Sequence, residues 1–389
     1  MAKRNFINGL VVSTLLFFSG FAQSEENNFK IGLILPMSGP FASTGKQLES
    51  AARLYVEQHG SVVSGQKITL IVKDDTGSPE VTKRIAQELV VNDKVKVLAG
   101  FGLTPLAMAT APIATQSKTP MVVMAAATSV VTEASPFIVR TSFTVPQVVT
   151  VLADWASKNG IKRVVSLVTD YAPGIDSEKY FNQRFMANGG QVIEVLRVPL
   201  RSPDFAPFLQ RVKDAKPDAL FTFVPAGVGS VLLKQFAERG LDKSGIRLIA
   251  EGSVTDDDIL NNMGDVALGV VTAHHYSAAH KSVVNKKFVE AFEKANNGLR
   301  PNFMAVGAYD GMRVIYEAIK ATKGQGGESL LNAMKGQIFE SPRGPMYVDA
   351  QTRDVVHNMY IRKVERINGQ LWNQEAEVIT DVKDSGKSK

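Results

Sequence analysis

From residue 29 onward, short runs rich in β-branched and aromatic residues alternate with segments whose apolar positions recur at helical spacing. That rhythm restricts the fold more than any other feature, because strands separated by amphipathic helices build parallel sheets with helices packed on their faces. The first cycle is a strand over 29–35, a turn over 36–39 and a helix over 45–59, with Leu48, Ala51, Ala52 and Tyr55 on one face. Further cycles pair strand 67–73 with helix 80–92 and strand 95–99 with helix 105–117, and strand 121–124 follows. After Arg140-Thr141-Ser142 the rhythm restarts with helix 147–159, strand 163–168, helix 176–187, strand 191–199 and helix 205–214. Strand 219–224, helix 229–239 and strand 246–250 continue it. The body is expected to form two α/β halves of similar size. Helices over 283–295 and 303–321 come next, then two strands over 345–349 and 355–365 joined by a turn, and a polar end over 380–389 expected to fray.

The chain has 389 residues, 44% of them hydrophobic, enough for two or three domains with full cores. After position 24 no apolar run reaches the roughly 18 uncharged residues that a membrane-crossing helix needs. Before it, Lys3 and Arg4 precede the apolar stretch 9–22, and Ala22-Gln23-Ser24 fits a small-x-small cleavage site. This order is that of a secretory signal peptide over residues 1–24, which implies export to the periplasm. Removing that segment takes away Lys3 and Arg4, so the formal net charge falls from +6 to +4. Lys and Arg are scattered, often beside Asp or Glu, which argues against a nucleic-acid partner. With no cysteine, disulfides, thiolate catalysis and thiolate metal ligation are excluded.

Several segments approach catalytic or cofactor motifs and fail them. Gly100-Phe101-Gly102-Leu103-Thr104-Pro105 follows a strand and opens a helix, but its third glycine position is Pro105 and no acidic residue follows at the spacing of a dinucleotide site. It reads instead as a flexible turn with Thr104 as N-cap and Pro105 at the first helical position. The stretch 39–46, GPFASTGK, has five residues between its glycines where a phosphate loop has four, and Gln47 stands where the magnesium-binding hydroxyl would be. His274, His275 and His280 lack zinc spacing and suit a hinge or rim. The carboxylates of Asp74-Asp75 and 256–258 fall at strand ends or helix starts, where acidic residues cap. No nucleophile elbow, metal set or cofactor site is found, so no enzyme, no catalytic residue, no metal and no cofactor is expected.

More informative are strand-to-helix turns rich in small and hydroxyl residues: Ser38-Gly39, 102–104, 125–129 and 226–229. Such turns let a ligand approach the backbone, and N–H groups at helix starts bind anions without a cationic side chain. One strand ends in a charge, Ala250-Glu251-Gly252; on spacing alone, Glu251 could be a plain cap or a ligand-facing carboxylate.

Lys30-Ile31-Gly32, 36–40 (PMSGP), Lys73-Asp74-Asp75, Ala126-Ala127-Thr128, 170–174 (DYAPG) and Glu251-Gly252, in that order, resemble the leucine/isoleucine/valine-binding (hydrophobic amino acid) family of ABC-importer solute-binding proteins. The resemblance runs from Phe29 to Glu365. It implies a type I periplasmic binding fold: an α/β protein of two Rossmann-like lobes joined by three crossover hinge segments, near 141–144, 272–275 and 343–346. The lobes would be discontinuous, with 25–142 and 273–344 in the first and 143–272 and 345–389, including the tail, in the second.

The resemblance further implies that the ligand carboxylate meets the turn Ala126-Ala127-Thr128, through the hydroxyl and N–H of Thr128 and the backbone of Ala126, together with the turn Thr104-Pro105. Pro105 stands where the family commonly has a hydroxyl, so Thr104 takes over by a one-residue shift. Glu251 would pair the ammonium of an amino acid. Tyr171 is the aromatic expected to cover the ligand, although Pro173 aligns more directly, and Pro225-Ala226 replaces another aromatic. These departures imply a pocket of different shape. A distinct relative takes aromatic or other carboxylates, and 341–345 (SPRGP) with Thr352-Arg353-Asp354 looks like that subgroup. The expected function is capture of a small carboxylate, foremost a branched-chain or other hydrophobic amino acid, by a monomer that delivers it to an inner-membrane ABC permease. A non-amino carboxylate in the same role, or a sensor docking on a receptor, are the alternatives.

Overall fold

The computed structural model describes residues 27–201 and 203–387, so the expected signal segment lies outside the described residues. The first half lays down β1 (Asn28–Leu35), β2 (Val62–Val63), β3 (Gln66–Asp74), β4 (Val97–Gly100), β5 (Met121–Val123) and β6 (Ile138–Arg140). Helices α1 (Ala42–His59), α2 (Pro79–Val91) and α3 (Thr104–Ser117) connect them. The sheet runs β2-β3-β1-β4-β5-β6, parallel except where β2 pairs with β3.

The second half carries α4 (Val145–Lys158), β7 (Arg163–Thr169), α5 (Ala172–Ala187), β8 (Gln191–Val198), α6 (Ala206–Ala215), β9 (Ala219–Phe223), α7 (Gly229–Glu238), β10 (Arg247–Glu251), α8 (Leu260–Met263) and β11 (Val271–His274). Helices α9 (Val283–Ala295), α10 (Phe303–Thr322) and α11 (Gly327–Met334) return to the first lobe. There the Tyr55 ring of α1 lies 4.9 Å from Tyr309 and 5.0 Å from Tyr316 of α10. The chain then re-enters the second sheet as β12 (Ile338–Ser341), β13 (Gly344–Val348), β14 (Val355–Ile367) and β15 (Gln370–Val382). That sheet runs β12-β13-β14-β11-β10-β9-β7-β8, with β15 on β14.

The parallel strands wind identically in the two sheets, as β3-β1-β4-β5-β6 and β8-β7-β9-β10-β11. Strand order therefore reverses beside β1 and again beside β7, and loops leaving the carboxyl ends diverge there to open a crevice. Strands β4 and β9 are buried along their whole length because helices cover both faces, which is why they read as continuous apolar runs. In α1 the residues Leu48, Ala51, Ala52 and Tyr55 are all buried, as their spacing predicts. Among the described residues no helix is long and apolar enough to cross a membrane.

Three differences from the sequence reading concern edges and ends. Strand β6 and the four-residue β12 were not expected, and β12 brings the chain back into the second sheet at Ile338, ahead of the boundary expected at 345. Only Phe339 and Ser341 of β12 are buried, so its apolar signal is too short to read. The end of the chain does not fray at 380, because β15 continues to Val382 against β14 and Asp384 Oδ2 accepts from Ser129 Oγ at 2.6 Å.

One buried side chain of the second sheet, Arg343 in the turn between β12 and β13, reaches two of the crossovers. Arg343 Nη1 donates to the Ser142 carbonyl of the first crossover at 2.6 Å and lies 3.0 Å from His275 Nδ1 of the second, whereas the third crossover falls earlier than expected, between α11 and β12.

Candidate ligand-binding cleft

Between the carboxyl ends of the two sheets lies a cavity walled by residues of both lobes. The first lobe lines it with Phe41, Thr44, the turn 102–104, the turn 125–127, Phe303 and Met304. The second lobe contributes Tyr171, Pro173, Phe223, Pro225, Ala226, Glu251 and Ser253, and Phe143 comes from the first crossover. Each turn follows a parallel strand, so the topology aims them at one point.

At one end two threonines meet. Thr104 Oγ1 is 2.9 Å from Thr128 Oγ1, and both residues are buried. Leu103, in extended conformation, is the N-cap of α3, and Thr104 is its first residue. The hydroxyl of Thr104 is therefore turned toward Thr128 and does not cap the helix, contrary to the sequence expectation. Among the described residues, the N–H groups of Thr104, Ala127 and Thr128 have no protein acceptor. Amides at a helix start with nearby hydroxyls make a site for an anion. Pro105 is half-buried in the first turn of α3 and does not reach the cavity wall, because the ring follows the helix away from the cleft. The backbone of Ala126 is also spoken for: its N–H donates to Phe101 O at 3.1 Å and its carbonyl accepts from Arg140 at 3.2 Å. Among the described residues, the neighbouring Ala127 N–H is left without a protein acceptor and Ala127 lines the cavity.

At the other end stands Glu251, fully buried. Its Oε2 accepts from the Ser253 N–H at 3.0 Å and from the Ser253 hydroxyl, so it does cap the short turn that follows β10. Its Oε1 has no hydrogen-bond partner, the nearest basic group being His274 Nδ1 at 3.5 Å. Burial pushes the Glu251 carboxyl up to about 7, against the opposing pull of Ser253 and Arg362. Burial and the surrounding guanidinium groups hold His274 far below the usual imidazole range, so it stays neutral. Glu251 is thus both a cap and a cavity-facing carboxyl with one oxygen left over.

Between the ends the walls are apolar and aromatic. Tyr171 and Phe223 face each other from the second lobe with centroids 6.0 Å apart, and Phe143 meets Phe303 edge-on at 5.7 Å. Burial and the nearby Glu251 push the Tyr171 phenol far up, so it stays protonated.

Residues 28–370 match the family of periplasmic binding proteins. The chain belongs to the periplasmic binding protein family. It is 42% identical over 389 residues to Leu/Ile/Val-binding protein homolog 6 of Brucella melitensis, covering 99% of each chain. Among solved structures, it is similar to a solute-binding protein of an ABC transporter from Rhodopseudomonas palustris BisB5 in complex with 3,4-dihydroxybenzoic acid. That match has a TM-score of 0.91 and 60% identity and covers 93% of this chain and 100% of that one. A second R. palustris solute-binding protein, in complex with 4-hydroxybenzoate, has a TM-score of 0.90 at 40% identity, covering 92% and 99%. The relatives are substrate-binding proteins, not enzymes.

This periplasmic binding protein therefore has the type I fold and serves as the solute-binding component of an ABC transporter. Seven of the nine residues singled out from sequence line its cavity: Thr104, Ala126, Ala127, Tyr171, Pro173, Ala226 and Glu251. Thr128 joins through its bond to Thr104, and Pro105 stays outside. Sequence reasoning missed Phe41, Phe143, Phe223, Phe303 and Ser253. The rings carry no local signal that separates them from core residues, whereas Ser253, two positions after a strand-ending glutamate, is readable as the partner of that carboxylate.

Proposed function

We propose that this binding protein captures a hydroxylated aromatic carboxylate, of the 4-hydroxybenzoate type, and delivers it to its permease after the lobes close. The observation that carries the reading is the unpartnered Oε1 of Glu251 inside a ring-lined cavity whose other polar end offers free amides and hydroxyls. A carboxylate suits the Thr104/Thr128 end, a flat ring suits walls made by Phe143, Tyr171, Phe223 and Phe303, and a ring hydroxyl suits Glu251. A carboxyl pushed up to about 7 is present in both protonation states near neutrality. A phenol can donate to the ionised form and accept from the neutral one, whereas an ammonium pairs only with the first. The similar R. palustris proteins held in complex with 3,4-dihydroxybenzoic acid and 4-hydroxybenzoate support the same class.

A hydrophobic amino acid is the second reading, favoured by the same free oxygen of Glu251, which would receive the ammonium, and by the name of the Brucella relative. Calorimetric titration of the mature protein with 4-hydroxybenzoate, 3,4-dihydroxybenzoate, benzoate, leucine and phenylalanine separates the two. The hydroxybenzoates are expected to bind, and to exceed benzoate by about tenfold, the worth of one hydrogen bond to a charged group. Tight leucine binding with no heat from the benzoates would overturn the aromatic reading.

A further inference from the structure

Behind the anion end of the cleft, and out of contact with the cavity, lies a fully buried arginine that the sequence reading treated only as the end of the first half. Arg140 Nη1 donates to the carbonyls of Ala126 at 3.2 Å and Phe143 at 3.3 Å, and Nη2 donates to those of Thr128 at 2.9 Å and Ser129 at 3.2 Å. Its Nε lies 2.8 Å from Asp354 Oδ1, on the loop between β13 and β14. We propose that Arg140 is the positioning residue of the carboxylate site: it gathers the carbonyls of the turn 126–129 on its own side so that the amides face the ligand.

The geometry follows from the planar trans peptide, in which each N–H points opposite to the carbonyl of the preceding residue. With the Ala126 carbonyl drawn to Arg140, the Ala127 N–H faces away from the guanidinium, and Ala127 lines the cavity. With the Thr128 carbonyl drawn to it, the Ser129 N–H likewise faces away, and that N–H reaches Asp176 Oδ2 of the second lobe at 3.2 Å. The amides turned from Arg140 thus point across the gap between lobes. The intervening Ala127 carbonyl is held separately by the Val145 N–H at 2.9 Å, which fixes the Thr128 N–H. Arg140 also leaves a positive charge behind the turn, partly offset by Asp354, whose Oδ2 accepts from Thr132 Oγ1 at 3.0 Å. A carboxylate bound at the turn would feel that charge without touching it, in surroundings where charges are poorly screened.

The inference rests on the carboxylate occupying the Thr104/Thr128 end. The test compares acid with neutral amide, 4-hydroxybenzoate against 4-hydroxybenzamide and leucine against leucinamide, in the wild type, Arg140→Met, Arg140→Lys and Asp354→Asn. Arg140→Met is expected to weaken the acid by roughly 100-fold, in the range found when one buried charge of a pair is removed, and the amide by about fivefold or less. The acid-to-amide ratio should collapse, recover in part in Arg140→Lys and rise in Asp354→Asn, where the guanidinium loses its counter-charge. A merely structural arginine would lower acid and amide by one common factor, and that result would overturn the inference. If Arg140→Met does not fold, unchanged ratios in Arg140→Lys and Asp354→Asn would overturn it equally. A wild type that binds neither acid would instead defeat the functional reading, and this inference with it.

Discussion

Arg343 Nη2 lies 2.6 Å from Asp310 Oδ2, with both side chains out of water, and this pair fastens the β12–β13 turn of the second sheet to helix α10 of the first lobe. Burial pushes the Asp310 carboxyl up while the guanidinium opposes it, and the remaining partners of the two groups include the neutral Ser341 hydroxyl and the Thr141 and Ser142 carbonyls. Removing one member leaves the other buried and uncompensated, a loss of about 3–5 kcal/mol. Arg343→Met is expected to unfold in denaturant with that deficit, and Asp310→Asn to do likewise. The double variant should recover part of the loss, because no stranded charge remains. A double variant whose deficit equals the sum of the two singles would show that the pair is not coupled.

The shared bond between Thr104 and Thr128 makes a second expectation quantitative. Thr104→Val and Thr128→Val should each weaken carboxylate binding by about 1 kcal/mol, the net worth of a hydroxyl bond, without moving the thermal midpoint much. Since each hydroxyl orients the other at 2.9 Å, the double variant should lose less than the two single losses together. Calorimetry on the four proteins measures the coupling, and strict additivity would mean that the two hydroxyls act on the ligand independently.

The parallel core was legible because burial on both faces writes itself as unbroken apolar runs such as Val97–Gly100, and helices such as α1 carry one clean apolar face. Strand β15 was illegible for the opposite reason. Its sequence QLWNQEAEVITDV is largely polar, only Leu371 and Asn373 are fully out of solvent, and its partner β14 supplies the pairing that its own pattern does not announce. At the site, small residues after strands and a strand-ending glutamate marked the turns. Phe41, Phe143 and Phe303 come from segments far apart in sequence and converge only once both lobes are built. Arg140 was hidden because an arginine is read as surface unless its donors are known to have partners, as here the Nη groups have in four carbonyls, with Asp354 beside the Nε.

Glu251 also gives the empty protein a pH signature. Its folded carboxyl sits near 7 against an ordinary 4.5, so between those values the folded state holds a proton that the unfolded state has released. Its contribution is therefore fully present below about pH 4.5 and is lost as pH rises through 7, an amount of about 3 kcal/mol. The buried, neutral His274, His275 and His357 work in the other direction, losing stability as pH falls below 6.5. His275 and His357 are common to wild type and Glu251→Gln and cancel in the difference, and His274, 3.5 Å from Glu251, is held neutral in both by burial and the Arg362 and Arg343 charges. The stability of Glu251→Gln relative to wild type, followed by denaturant titration without ligand, should thus rise steadily from pH 4.5 to 7.5. A difference independent of pH would mean that the carboxyl titrates normally in its pocket.

The chain end beyond β15 crosses back to the first lobe, and this carries the last prediction. Lys387 Nζ, on a side chain only 9% exposed, donates to Thr132 Oγ1 at 2.9 Å and lies 3.3 Å from Asp354 and 3.4 Å from Glu133. Asp384 holds the hydroxyl of Ser129, the residue whose N–H already reaches Asp176 of the second lobe. A segment rooted in the second sheet is therefore bonded to the turn 128–133 of the first, and its charge-assisted bonds are expected to favour the closed arrangement. A protein ending at Val382 should release ligand about tenfold faster in stopped-flow dilution, equivalent to one such bond of roughly 1.4 kcal/mol. Lys387→Ala should reproduce most of that effect, and added salt should narrow its gap from wild type only slightly, because the Asp354 partner is buried and only the Glu133 partner is exposed. Equal release rates in all three proteins would mean that the lobes hold the ligand without help from the tail.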